Sequence, residues 1–216
     1  MSSLALMRWL EGRPERYDAG MRALTFGRIE RLHAAVAEAA VRHTGDHVLE
    51  IGCGTGTVTA LLRARGARVT AIDQAPEMLE RARLRLGDDE AIAWLEQTAA
   101  EIDSLPPNHF DAVVLCLCLS DMSPGERAFV LREAVLRLAP AGRVVAADEV
   151  RANGWRGWLQ RLWRLPQAAL GWLLVGSLSR PIRDLAGELQ AAGLPPSDTT
   201  TWLLGTLEIV VGEREP

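Results

Sequence analysis

The stretch Val48-Leu49-Glu50-Ile51-Gly52-Cys53-Gly54-Thr55-Gly56 carries the clearest chemistry in this sequence. An apolar run passes an acidic residue and enters three glycines at alternate positions. Such a loop lets a backbone come close to a ligand, because no Cβ stands in the way. A dinucleotide-binding turn asks for G-x-G-x-x-G, with its third glycine at position 57. Here position 57 is Thr57, and the third glycine falls one residue early, at Gly56. Glu50, two places before Gly52, suits a ligand bearing an ammonium group better than one bearing a pyrophosphate.

The elements that position this loop follow from hydrophobic pattern and punctuation. His47–Ile51 reads as a buried strand and Val58–Arg65 as a helix ending near Gly66. Arg68–Ile72 reads as a second strand closing on Asp73, with a helix over Pro76–Leu86. A third strand, Ile92–Glu96, is followed by a loop through Leu105-Pro106-Pro107. Asp111–Leu117 is the fourth strand, Pro124–Leu138 a helix with proline in its first turn, and Arg143–Ala147 the fifth strand. Repeated βα units with short connections imply a parallel sheet covered by helices on both faces. Upstream, residues 4–44 read as helical, broken by Gly12, Pro14 and Gly20, with Ile29, Leu32, Val36 and Val41 at helical spacing. Downstream, residues 155–178 hold four of the seven tryptophans. A helix at Ile182–Ala192 and a hairpin of about Thr199–Leu203 and Leu207–Val211, turning near Gly205, close the chain. The expected organisation is one domain over 1–216: a helical cap (1–44), a ligand-binding core (45–150), a Trp-rich helical insertion (151–180), and a final helix and hairpin (181–216).

Composition narrows the function classes. The 216 residues are 48% hydrophobic with a net charge of −4, which argues against a dedicated nucleic-acid binder. All 24 basic residues are arginine. The absence of lysine excludes a Walker A loop, a pyridoxal Schiff base and the phosphate-anchoring lysine of kinases. Three cysteines without paired spacing (Cys53, Cys116, Cys118) read as free thiols in a reducing cytoplasm, and no metal site is expected. The N-terminus lacks a basic region followed by a long apolar run, so no signal peptide is read.

In open α/β sheets, ligands gather at the carboxyl ends of the strands. The first strand delivers Glu50 and the glycine loop there. The second delivers Asp73, 17 residues past Gly56, close to the ~20-residue spacing at which a carboxylate reaches ribose hydroxyls. Together these features resemble the class I S-adenosylmethionine (SAM) dependent methyltransferases, in which the acid of the first motif sits near the methionine end of SAM. The stretch from about 45 to 150 is similar to the ubiquinone/menaquinone C-methyltransferase type. At finer grain Tyr17–Gly20, Thr25–Arg28, Ala147–Arg151 and the Trp/Leu-rich stretch resemble corrinoid-protein-associated methyltransferases.

The resemblance implies a Rossmann-like, mostly parallel sheet with a C-terminal antiparallel hairpin, and SAM as cofactor. It implies donor contacts from Glu50, Gly52, Cys53, Gly54, Gly56 and Asp73, with Tyr17 closing over SAM. Gln74 and Met78 fall where such folds flank the adenine, although Met78 equally suits a helix core. Members of this class often carry Asp or Asn near Thr98–Ala100. Here Glu101 is the nearest acid, and Ala100 offers only backbone groups. Cys118 opens the segment, through Met122, where many of these enzymes meet the transferring methyl.

The acceptor half is read from Asp121 and Glu149, with His109 as a further candidate base. Asp121 equally suits a turn, and one of Asp148 and Glu149 equally suits a cap. Methyl transfer to a hydroxyl or carbon acid needs a general base; transfer to a soft nucleophile does not. The implied acceptor is a small or cofactor-like molecule, quinone-like or a corrinoid held by a partner protein. Three readings stay open for the Trp-rich segment: a lid, an apolar pocket wall, or an interfacial helix giving peripheral membrane contact through 155–178. Two alternatives to an active methyltransferase also stand. One is a non-catalytic SAM-binding or partner module; the other, disfavoured by Thr57 and Glu50, is a nicotinamide-dependent oxidoreductase.

Overall fold

The structure, a computed structural model, describes residues 28–151, 181–202 and 205–215. Its seven-stranded sheet has the order β3-β2-β1-β4-β5-β7-β6. The strands are β1 (His47–Ile51), β2 (Arg68–Asp73), β3 (Ile92–Glu96), β4 (Phe110–Cys116), β5 (Leu138–Glu149), β6 (Pro196–Trp202) and β7 (Leu207–Glu213). β1 to β5 pair in parallel, while β7 runs antiparallel to both β5 and β6. The chain order reverses between β1 and β4, the switch point at which ligand crevices form. This is the expected mostly parallel sheet with a C-terminal antiparallel hairpin. The Trp-rich segment and Tyr17 lie outside the described residues.

Strand alternation sorts side chains to two faces. Val48, Val69, Ala71, Ala112, Val114 and Ala147 meet one helical layer. That layer is α1 (Ile29–Ala40), α2 (Thr57–Ala64) and α3 (Pro76–Leu86). Leu49, Ile51, Val113, Leu115, Val144 and Ala146 meet the other, formed by α4 (Pro124–Arg137) and α5 (Leu185–Ala191). Glu50 shares the parity of Val48, so its carboxylate points into the α1/α2 layer.

The boundaries differ from the sequence reading in instructive places. β5 runs on to Glu149 because β7 pairs with it through Glu149↔Leu207. α5 begins at Leu185, three residues later than expected. Ile182 instead bridges Val150, and the Asp184 carboxylate caps the helix by accepting from Gly187 N at 2.8 Å.

A partly buried ion pair joins the two helices of the second layer. Arg127 donates from Nε and Nη2 to the Glu188 carboxylate, both at 2.8 Å, and from Nη1 to the Met122 carbonyl at 2.9 Å. Arg127 is 7% exposed, so stripping its partner leaves a cation away from water. We expect Glu188→Ala to cost about 2–4 kcal/mol in thermal or urea unfolding, and the apolar double replacement Arg127→Met/Glu188→Leu to cost less. Equal losses in the two proteins would contradict this account.

Candidate functional site

The glycine loop hangs from the end of β2. Gly52 N and Cys53 N both donate to the Ile72 carbonyl, at 2.9 and 3.0 Å. Two of its glycines are demanded by contact. A Cβ on Gly52 would stand 2.8 Å from Cys118 Cβ, and one on Gly56 would stand 2.9 Å from Ala82 Cβ. Both residues also have positive φ, +73° and +74°, where side chains are strained. The loop is thus wedged between the β4 exit and α3.

Asp73 secures the loop from the other side. Its Oδ2 accepts from Gly54 N at 2.7 Å and its Oδ1 from Ala75 N at 2.9 Å. Burial raises the Asp73 pKa, opposed by these backbone donors. Gln74 N–H also donates to the Asp73 carboxylate; a carboxylate has about four lone-pair sites, so capacity beyond these three bonds remains for a ribose hydroxyl.

The loop helps line a cavity of about 560 Å³. Glu50, Gly52, Gly54, Cys116 and Leu117 form its wall on the sheet side. Ile29, Glu30 and His33, at the start of α1, face them. Glu50 is 2% exposed. Its Oε2 accepts from Thr59 Oγ1 at 2.6 Å. Burial pushes the Glu50 pKa up to about 8; the Thr59 hydroxyl and N–H oppose that rise, and Asp73 adds to it. A buried acid at a cavity wall is a site for a cation, whose charge would replace the missing water.

Four residues here went unnoticed in sequence reasoning. Thr59 is fully buried, a hydroxyl in the apolar stripe of α2 beside Val58 and Leu62; that mismatch was a readable signal. The pair Glu30 and His33, one turn apart, gave no signal before α1 was placed. Leu117 has φ +58° and lines the cavity. An apolar residue in the left-handed region leaves no sequence trace, and such strain gathers at functional sites.

The remaining expected residues fall as follows. Cys53 is buried; burial and the carboxylates Glu50 and Asp73 hold its pKa far above the ordinary thiol value. Cys118 abuts Gly52, and its Sγ lies 3.3 Å from the Ile51 carbonyl. Gln74 is exposed at the β2 exit. Met78 is 8% exposed within α3. Ala100 is exposed in the 3-10 turn Ala99–Ser104. Glu101 caps that turn, its Oε2 accepting from Thr98 N and Oγ1 at 2.8 Å each. The expectation of an acid near the adenine thus meets a residue already engaged in a capping box.

His109 requires a correction. It precedes Phe110 at the start of β4 and stacks edge-on with His47, centroids 4.9 Å apart. The length of β4, ~20 Å, separates it from the glycine loop, so it is not a base at this site.

Asp148 and Glu149 also separate. Alternation along β5 sends them to opposite faces. Asp148, 0% exposed, accepts from Leu119 N at 2.7 Å and Ser120 N at 3.1 Å through Oδ2, and from Glu149 N at 2.7 Å through Oδ1. Burial lifts its pKa to about 6. It is therefore the fastening of the turn that carries Asp121. Asp121 itself stands at the surface beyond Cys118. Loss of solvent on its inner side, then the neighbouring Glu149 carboxylate, raises its pKa. Neither Asp121 nor Glu149 is among the described residues lining the cavity.

The sheet order, with the glycine loop and the buried strand-end acid at the switch point, is that of the class I methyltransferase fold. Residues 48–142 match a family profile described as a methyltransferase domain. The chain is 30% identical over 132 residues to a demethylmenaquinone methyltransferase of Clavibacter sepedonicus, covering 61% of this chain and 53% of that protein. It is 26% identical over 189 residues to an uncharacterised methyltransferase of Synechocystis, covering 87% and 84%. The chain spans about half the length of the curated relatives it matches first. Among solved structures, the 1,6-didemethyltoxoflavin-N1-methyltransferase of Burkholderia thailandensis, with S-adenosylhomocysteine bound, superposes with TM-score 0.64 at 21% identity over 94% of this chain and 91% of that one.

A folded-state pKa raised above the ordinary 4.5 means that the fold binds the Glu50 proton more tightly than the unfolded chain does. Its stabilising effect is complete below pH ~4.5 and is lost as pH rises through about 8. Glu50→Gln should therefore raise the melting temperature of the ligand-free protein at pH 8.5, by an amount that vanishes towards pH 5. A variant less stable than wild type at both pH values would refute the assignment. Asp148→Ala should cost about 2–3 kcal/mol by orphaning the Leu119 and Ser120 N–H groups. Amide exchange at those two residues should accelerate before that of the β1 amides; uniform acceleration would count against a local fastening.

Proposed function

We propose that this protein transfers a methyl group from SAM to a small-molecule or cofactor-like acceptor, quinone-like in character. The carrying observation is the buried Glu50 carboxylate at the wall of a cavity that the glycine loop also lines. The residues present fit the donor. Gly52 and Gly54 leave room for close backbone approach, Glu50 can balance the methionyl ammonium, and Asp73 stands at the ribose step. Gln74, Met78 and the Ala100 backbone would flank the adenine. Bound SAM supplies an electrophilic methyl on a sulfonium sulfur.

The protein's largest contribution to an in-line displacement is holding the nucleophile and the methyl in register. The Cys118–Asp121 turn, fixed by Asp148, would form the rim against which an acceptor is aligned. For an oxygen or carbon nucleophile, Asp121 or Glu149 would take the proton. The quinone-like acceptor is favoured by the names of relatives such as the Clavibacter protein. The corrinoid-protein acceptor rests on the sequence resemblance alone, as does membrane contact through 155–178. Among the described residues no helix is long and apolar enough to cross a membrane. The three free cysteines accord with work in a reducing cytoplasm.

A second reading, a SAM-binding module without transfer, is supported by the placing of Asp121 and Glu149 outside the cavity lining. One experiment separates the readings: titration with S-adenosylhomocysteine (SAH), then incubation with methyl-labelled SAM and host extract split into lipid-soluble and protein fractions. We expect micromolar SAH binding, weakened at least tenfold by Asp73→Ala, and label in the lipid-soluble fraction. Binding without label transfer supports the module, label in the protein fraction supports a carrier-bound acceptor, and no SAH binding overturns both readings.

A further inference from the structure

Thr59 occupies the third position of α2, a helix whose N-cap is Gly56 and which has no side-chain cap. First-turn N–H groups have no partner within their own helix, and their dipoles favour a negative charge nearby. Glu50, from the adjacent strand, meets this need. Its Oε2 lies 2.6 Å from Thr59 Oγ1, and Thr59 is 0% exposed. The carboxylate is therefore fixed from behind, by α2, while it lines the cavity in front.

Among the described residues, the carboxylate and thiols nearest to it add no positive charge. From β2 comes the Asp73 carboxylate, which raises its proton affinity; from the loop and from β4 come the thiols Cys53 and Cys116, whose pKa values its own charge raises. From α1, Glu30 and His33 line the same cavity, and from α3 Arg85 does so, hydrogen-bonded to Thr55 and Thr57. The strongest stabilisers of charge on Glu50 are the hydroxyl and N–H of Thr59.

We propose that Thr59 is a positioning residue of the donor site: it holds the Glu50 carboxylate at the cavity wall, and the ammonium of an incoming donor replaces a proton carried there in the ligand-free protein. The proposal rests on the SAM-site reading and adds to it a named residue and a proton count. On binding, Glu50 Oε–H gives its proton to buffer, and the ammonium takes its place as the counter-charge. No other bond changes.

The test is calorimetric titration with SAH between pH 6 and 8.5, in pairs of buffers with different ionisation enthalpies. 5′-Methylthioadenosine, which lacks the amino-acid end, serves as the control ligand. Wild type should release roughly half to one proton per SAH at pH 7, with affinity rising up to about tenfold per pH unit towards pH 8. Methylthioadenosine should release none. Thr59→Val should weaken SAH binding roughly ten- to thirtyfold at pH 7, with a gap that narrows towards pH 8.5; Thr59→Ser should restore it to within about threefold. SAH binding to wild type without proton release overturns the proposal whether or not the valine variant folds. So does a valine variant that loses equal affinity for both ligands at every pH, since that marks a merely structural role. If neither ligand binds wild type, the SAM-site reading itself falls, and the proposal with it.

Discussion

The site depends on one contact, a carboxylate buried at the end of a central strand against the first turn of a helix. Glu50 sits where a parallel sheet is driest, with neighbours on both sides and helical layers above and below. An ionised carboxylate there is tolerated only with donors or a counter-charge. The Thr59 hydroxyl and N–H supply the donors. A ligand cation entering the cavity would supply a counter-charge. Fold stability and ligand affinity therefore pull in opposite directions at this residue, as expected where a binding site is built into a core.

The surrounding contacts keep that arrangement from relaxing. Gly52 cannot move toward β4 without meeting Cys118, and Gly56 cannot move toward α3 without meeting Ala82. Asp73 and the Ile72 carbonyl hold the loop to β2. The loop is thus fixed by three different elements, each through backbone groups or close packing. Few side chains are involved, which is why so short a sequence signature identifies it.

Much of this was legible in the sequence. The strands showed as apolar runs because parallel strands are buried on both faces, and β1, β3 and α3 fall at their expected limits. The parity of Glu50 with Val48 could also be read, and with it the direction of the carboxylate. The reading of His109 as a base came from residue type without position. His109 immediately precedes a strand, so it belongs to the edge opposite the ligand. Thr98-Ala99-Ala100-Glu101 is a capping box in plain sequence, and its glutamate was already engaged. Leu117 was not legible, since its positive φ is imposed by the exit of β4, where its N–H donates to the Ala147 carbonyl at 2.8 Å.

The paired acids Asp148 and Glu149 show why adjacency in sequence misleads at a strand end. Neighbours on a strand face opposite layers, so two consecutive carboxylates there cannot act on one substrate atom while the strand persists. β7 keeps β5 extended through Glu149, and that pairing decides the matter. Asp148 is turned inward to hold the Leu119–Asp121 turn, and Glu149 is turned toward the layer that contains α1. The donor side is therefore built from backbone and buried acids of the sheet. On the proposed reading the acceptor would meet an element that the sheet merely supports, the Cys118–Asp121 turn fastened by Asp148. Changes in that turn would then alter the acceptor while Glu50, Thr59 and the glycine loop stay fixed.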